Sequence, residues 1–72
     1  MKTDTFNLRP SDEFIELSKL IKIKDLAQSG GHAKIIINSG LVKVNGEQEL
    51  RKRRKLKKGD VIEFEDSSIE II

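Results

Sequence analysis

The spacing of apolar positions changes period partway along the chain. From residue 17 to 26 a loose stripe of helical spacing runs through Leu17, Leu20, Ile21, Ile23 and Leu26, with Lys19, Lys22 and Asp25 turned outward. Ser18 reads as the N-cap of this helix, because its hydroxyl can accept a bond from an unpaired first-turn amide. Ser29-Gly30-Gly31 interrupts the pattern and opens a second helix. There Ala33, Ile36, Ile37 and Gly40 recur at i, i+3, i+4, i+7, with Lys34 and Asn38 on the other side. An acid three residues after Ser29 would complete a capping box; His32 stands there, so only half the box is expected. Gly40 falls where a left-handed helix stop belongs.

Beyond Gly40 the period is two. Val42 and Val44 share one face of a strand and Lys43 points away. Asn45-Gly46 is a strong hairpin signal, since both positions tolerate positive φ. Residues 47–58 then read as the return arm, and Lys58-Gly59-Asp60 as a turn. Residues 61–65 form a further strand with Ile62 and Phe64 inward and Glu63 and Glu65 outward. Asp66-Ser67-Ser68 is a turn, and residues 69–72 are a last strand. Ahead of the helices, residues 5–8 suit a short strand and Pro10-Ser11-Asp12 a turn; residues 13–17 are a second extended piece or a lead into the helix. The whole predicts an α+β fold, a two-helix hairpin packed on a small, mostly antiparallel sheet. Residues 1–12 form an N-terminal extension or edge strand, and residues 13–72 a single domain.

At 72 residues the chain has room for one small domain. That excludes most enzyme architectures, which set a cleft between two layers. Cysteine is absent, so there is no disulfide and no thiolate metal site; one histidine cannot make a tetrahedral zinc site. No apolar run approaches the roughly 20 residues of a membrane span, and the first ten residues lack a signal-peptide core. A cytoplasmic protein with no membrane contact and no cofactor is expected.

Charge sharpens this picture. The net charge is only +2, but it is segregated. Residues 1–18 balance at −2, residues 19–58 at +9 and residues 59–72 at −5. A basic middle between acidic ends points to a polyanionic partner. Arg51-Lys52-Arg53-Arg54-Lys55-Leu56-Lys57-Lys58 places seven cations in eight positions. In an extended arm, Leu50 and Leu56 would anchor the arm to the core while most of the cations stay in water. Seven crowded like charges repel, and phosphates arriving with counterion release relieve that repulsion. The planar fork of arginine bonds phosphate through two donors at once. Ser29-Gly30-Gly31 at a helix start offers bare amides to one phosphate, or is simply a tight turn between helices. Lys34, Lys19 and Lys22 shift that balance toward contact. His32 has no visible nucleophile partner, and the acids of residues 60–70 match no calcium loop. With only Phe6, Phe14 and Phe64 as aromatics, stacking of unpaired bases is disfavoured, which leaves recognition of RNA backbone and shape.

Ser29-Gly30-Gly31-His32-Ala33-Lys34, then Ile36-Ile37, Gly40, Val42-Lys43-Val44-Asn45-Gly46, the run from Arg51 to Leu56 and Gly59-Asp60-Val61-Ile62 resemble the S-four RNA-binding domain, named after small-subunit ribosomal protein four. The opening and the basic arm are similar to small stand-alone bacterial members of the YaaA and YbcJ type. The resemblance spans about residues 14–65. It implies a two-helix alpha-L motif on a small sheet that binds structured RNA, most often ribosomal or transfer RNA. It implies motif roles for Ser29, Gly30, Gly31, Lys34, Asn45, Arg51, Arg54 and Lys55. Many members open the first helix with Arg-Leu-Asp; here the region reads Leu17-Ser18-Lys19-Leu20.

The expected function is therefore non-catalytic binding of structured RNA by a monomer, with ribosomal particles as a further expected partner. The expected contacts are Lys19, Lys22, Ser29, Gly30, Gly31, Lys34, Lys43, Asn45, Arg51, Lys52, Arg53, Arg54, Lys55, Lys57 and Lys58. The alternative is a protein-interaction module that docks an acidic partner through the same arm.

Overall fold

The computed structural model describes residues 2–72; Met1, the first residue of the expected N-terminal extension, lies outside them. The elements in chain order are β1 (Lys2–Phe6), β2 (Ile15–Glu16), α1 (Leu17–Ile23), α2 (Gly30–Asn38), β3 (Val42–Val44), β4 (Glu47–Gln48), β5 (Lys55–Leu56), β6 (Val61–Phe64) and β7 (Ser67–Ile71). Five strands form one sheet in the order β1-β7-β6-β3-β4, and β2 pairs with β5 in a separate two-stranded sheet. The pairings are antiparallel except for β1 with β7, which is parallel. This is the expected α+β arrangement of two helices on a mostly antiparallel sheet.

One core joins the layers. Val42, Val44, Ile62, Phe64, Ile69 and Ile71 point from the sheet at Leu17, Leu20, Ile21, Ala33, Ile36 and Ile37 of the helices, all of them buried. Each large side chain taken out of water contributes about 1.5–3 kcal/mol. Period two fixes the opposite face, where cross-strand partners Lys43 and Glu63, and next to them Ser68 and Thr3, stand away from the helices.

Several local expectations are corrected by the way backbone donors are satisfied. Ser18 is not the cap of α1. The N-cap is Glu16, whose side chain makes no capping bond. The amides of Leu17 and Ser18 instead donate to the carbonyls of Arg54 and Lys52, each at 3.0 Å. A loop distant in sequence thus does the work of a cap. The helix ends at Ile23, which is 49% exposed, because Asp25 takes φ 58°; the predicted stripe is cut short of Leu26. In α2, Ser29 accepts from the His32 amide at 3.1 Å as expected. Only half the box is made, as expected: the Nδ1 of His32 accepts at 3.1 Å from the amide of Gln28, the residue before the cap, and not from that of Ser29 itself.

The first strand covers Lys2–Phe6 rather than residues 5–8, because β7 offers it a parallel edge to pair with. Strand β6 stops at Phe64 and β7 begins at Ser67, joined by a two-residue turn with Glu65 at φ 53°. The predicted turn at residues 66–68 is therefore one position late. The continuous return arm does not form. Only Glu47–Gln48 pairs with β3, the chain then leaves the sheet, and Lys55–Leu56 pairs with β2. Leu56 is fully buried, but Leu50 is 51% exposed and anchors nothing. The Asn45-Gly46 turn has the expected positive φ at both residues, 54° and 84°.

Candidate nucleic-acid interface

The basic run crosses the surface as an irregular loop, so its faces do not alternate. What shapes it is a carboxylate just ahead of it. Glu49 donates its amide to the Val42 carbonyl at 2.9 Å, and its side chain, 8% exposed, turns under the loop. It accepts from the Arg51 amide at 3.1 Å, from Arg51 Nε at 3.0 Å and Nη2 at 3.2 Å, and from Arg54 Nη1 at 2.7 Å. A buried carboxylate is costly unless paired and fully bonded; here it is both. The hydrogen bonds from Arg51 outweigh the effect of burial and hold the Glu49 carboxyl at about 2, against an ordinary 4.5. The same pairing raises Arg51. The loop's backbone is further fixed by the Arg54 amide on the Arg51 carbonyl and by the two carbonyls that cap α1. Lys55 holds its Nζ 5.0 Å from the centroid of the Phe14 ring, a contact worth about 0.5–1 kcal/mol where exposed.

Against this loop α2 presents Lys34 and Asn38. Together they wall an open groove of about 970 Å³ lined by Lys34, Asn38, residues 50–55, Lys57, Lys58 and Asp60. Eight of these side chains are cationic and one is acidic. Among the described residues, Arg51 and Arg54 are the groove cations with an ion-pair partner, both on Glu49. Lys34, Lys52, Arg53, Lys55, Lys57 and Lys58 have no ion-pair partner among the described residues. Direct ion pairing in the groove is thus confined to Glu49, while Asp60 in the lining feels the charges of Arg54 and Lys57 without a bridge to either. A second cavity of about 340 Å³, a side branch in that it shares Lys34, Lys52 and Arg53 with the groove, is lined also by Gly30 and Gly31 at the start of α2 and by Glu16 and Ser18. There the helix amides and dipole favour an anion, although Glu16 opposes it.

Not every candidate residue reaches the groove. Ser29 is committed to capping α2. Asn45 donates to Asp60 at 3.0 Å and accepts from the Val61 amide at 2.9 Å, so its side chain latches the turn to β6. Asp60 in turn accepts from the Lys57 amide at 2.8 Å. Burial pushes the Asp60 carboxyl up, but the Lys57 and Asn45 bonds win and it lies below the usual carboxylate value. Lys19 lines a different groove beside Phe14 and Ile23. Lys22 is exposed on α1, and Lys43 stands on the far face of the sheet. The sequence reading missed Glu49, the one feature that organises the loop. Its signal was present: an acid two residues before Arg51 and five before Arg54, just past a hairpin.

Among the described residues no helix is long and apolar enough to cross a membrane. No group of three or more His, Cys, Asp or Glu side chains among them could hold a metal ion.

Residues 8–72 match the family model described as the S4 domain. The chain belongs to that family. It is 40% identical over 58 residues to YbcJ of Escherichia coli strain K12, covering 81% of this chain and 83% of YbcJ. It is 45% identical over 53 residues to a Bacillus subtilis strain 168 protein named "Probable ribosome maturation protein RlbA", covering 74% and 75% of the two chains. The solution structure of Escherichia coli YbcJ, described as having an alphaL motif involved in RNA binding, superimposes with a TM-score of 0.69 at 38% identity, over 94% of this chain and 85% of that one.

Proposed function

We propose that the chain is a non-catalytic RNA-binding module that grips structured RNA, ribosomal or transfer RNA, in the groove between α2 and the basic loop. The observation that carries this reading is the gathering of eight cations into one groove with, among the described residues, two of them paired, both to a single carboxylate. Lys34, Lys52, Arg53, Lys55, Lys57 and Lys58 neutralise phosphates, and Arg51 and Arg54 supply planar forks. The Gly30 and Gly31 amides receive one further phosphate in the side branch. Phe64 is buried, Phe6 is partly buried and Phe14, 37% exposed, is a single open ring with Lys55 near it, so the described residues offer no row of open rings to unpaired bases, and backbone and shape are what is read. The alphaL motif reported in YbcJ and the ribosome-maturation name of the Bacillus relative support RNA as the polyanion and the ribosome as its setting. The proposed place of work is the cytoplasm.

The test is binding to a structured RNA across a range of salt. With about five phosphate contacts, log K falls against log salt with a slope of roughly −3.5 to −4.5. No binding at low salt, or binding that ignores salt, contradicts the proposal.

A further inference from the structure

Attraction by a basic loop alone does not distinguish one polyanion from another, because every phosphate chain releases counterions. Something in the groove must read shape. Lysines on flexible stems are point charges, and Lys52, Arg53, Lys57 and Lys58 have no partner among the described residues. Arg51 and Arg54 are different. Both guanidinium groups rest on the same buried carboxylate, and that carboxylate is itself tied to β3 through the Glu49 backbone. Arg51 nevertheless keeps a side chain 72% exposed and Arg54 one 34% exposed, both lining the groove. Each guanidinium has five N–H groups, so most of them are uncommitted and aimed by the plane of the guanidinium that Glu49 holds.

Resting on the reading of this groove as an RNA site, we propose that Glu49 is a positioning residue that makes it select paired, A-form RNA over flexible polyanions. Placing a carboxylate behind a phosphate site weakens simple attraction by about one charge. What it returns is orientation: two forks already immobilised lose less freedom on binding a rigid phosphate ladder. A flexible single strand can wrap to meet point charges and gains little from fixed forks. Glu49 touches no ligand in this scheme; it acts through Arg51 and Arg54.

The experiment compares a 20-base-pair RNA duplex with poly(U) of the same phosphate number, for the wild type, Glu49→Gln and Arg51→Lys, at several salt concentrations. The wild type is expected to prefer the duplex. In Glu49→Gln the duplex-to-poly(U) affinity ratio drops about tenfold, while the salt slope on poly(U) steepens by about 0.7 as one more charge is free. In Arg51→Lys, which keeps charge and loses the fork, the ratio drops with the slope unchanged. A thermal melt reports whether Glu49→Gln folds; if it does not, Arg51→Lys, an exposed change, decides alone. Variants that keep the duplex preference, or a wild type that binds both RNAs equally, overturn the proposal while RNA binding stands. A wild type that binds neither RNA overturns the RNA reading itself.

Discussion

Two stretches concentrate charge of opposite sign, and the fold treats them in opposite ways. The acidic stretch from Asp60 to Glu70 is built into the regular hairpin of β6 and β7, where Ile62, Phe64, Ile69 and Ile71 face the core and Glu63 and Glu70 fall between them. The basic stretch from Arg51 to Lys58 is mostly irregular, and only Lys55–Leu56 joins a strand pair. Burial of alternate side chains shapes the first. Polar bonds shape the second: a buried carboxylate under two arginines, and two carbonyls over the start of α1. Regular alternation spreads charge along a sheet, whereas an irregular loop can bend its cations around a groove. The loop therefore suits a shaped polyanion and the hairpin does not.

The largest effect that would break this contrast is charge reversal. Changing Arg51, Arg53, Arg54 and Lys55 together to Glu should reduce affinity for structured RNA by more than about 100-fold, since several phosphate contacts are lost at once. Changing Glu63, Glu65, Asp66 and Glu70 to Gln should alter it by less than about threefold, because these groups sit off the groove. Binding isotherms at fixed salt, with circular dichroism to confirm folding, check both. Equal effects from the two sets would erase the distinction.

Next come the anchors. Leu56 and Ile62 are both almost fully buried, and truncation of either to Ala should cost about 2–5 kcal/mol in urea unfolding. The difference lies in what else changes. Leu56→Ala also loosens the attachment of the basic loop to β2 and lowers RNA affinity under conditions where the protein is still folded; Ile62→Ala leaves it as it was.

A third contrast is in acid. The Glu49 carboxyl is held at about 2 in the folded protein against an ordinary 4.5. A group whose folded value is lowered stabilises above the unfolded value and loses that contribution as pH falls toward the folded one. Stability should therefore decline between pH 4.5 and about 2, with a smaller share from Asp60, which is also lowered. Glu49→Gln should flatten this part of the pH profile of the unfolding free energy.

The smallest effect belongs to a pair outside both stretches. Arg9 and Asp12 meet at 3.1 Å with exposed side chains, and Asp12→Asn should shift stability by no more than about 0.5 kcal/mol in the same unfolding assay.

The two stretches also differ in how far their shape is legible in the sequence. The helices, the Asn45-Gly46 turn and the inward face of β6 follow from period and turn chemistry, which are local. The path of residues 50–56 does not, because its determinants are distant partners: the Leu17 and Ser18 amides and the pairing of Lys55–Leu56 with β2. For the same reason Ser18 reads as a cap and is none, and Leu50 reads as an anchor and is exposed. The cations of the groove were visible as composition. Their separation from Lys43, which the pleat sends to the far face, and from Lys19, which borders another groove, required the fold.

The most direct test of the central claim is a titration of isotope-labelled protein with a structured RNA, followed by amide and side-chain chemical shifts. Saturable, salt-sensitive shifts should cluster at Gly30, Gly31, Lys34 and residues 51–58, with the Glu63 and Glu70 face silent. Shifts centred on that sheet face, or none at low salt, would contradict the account.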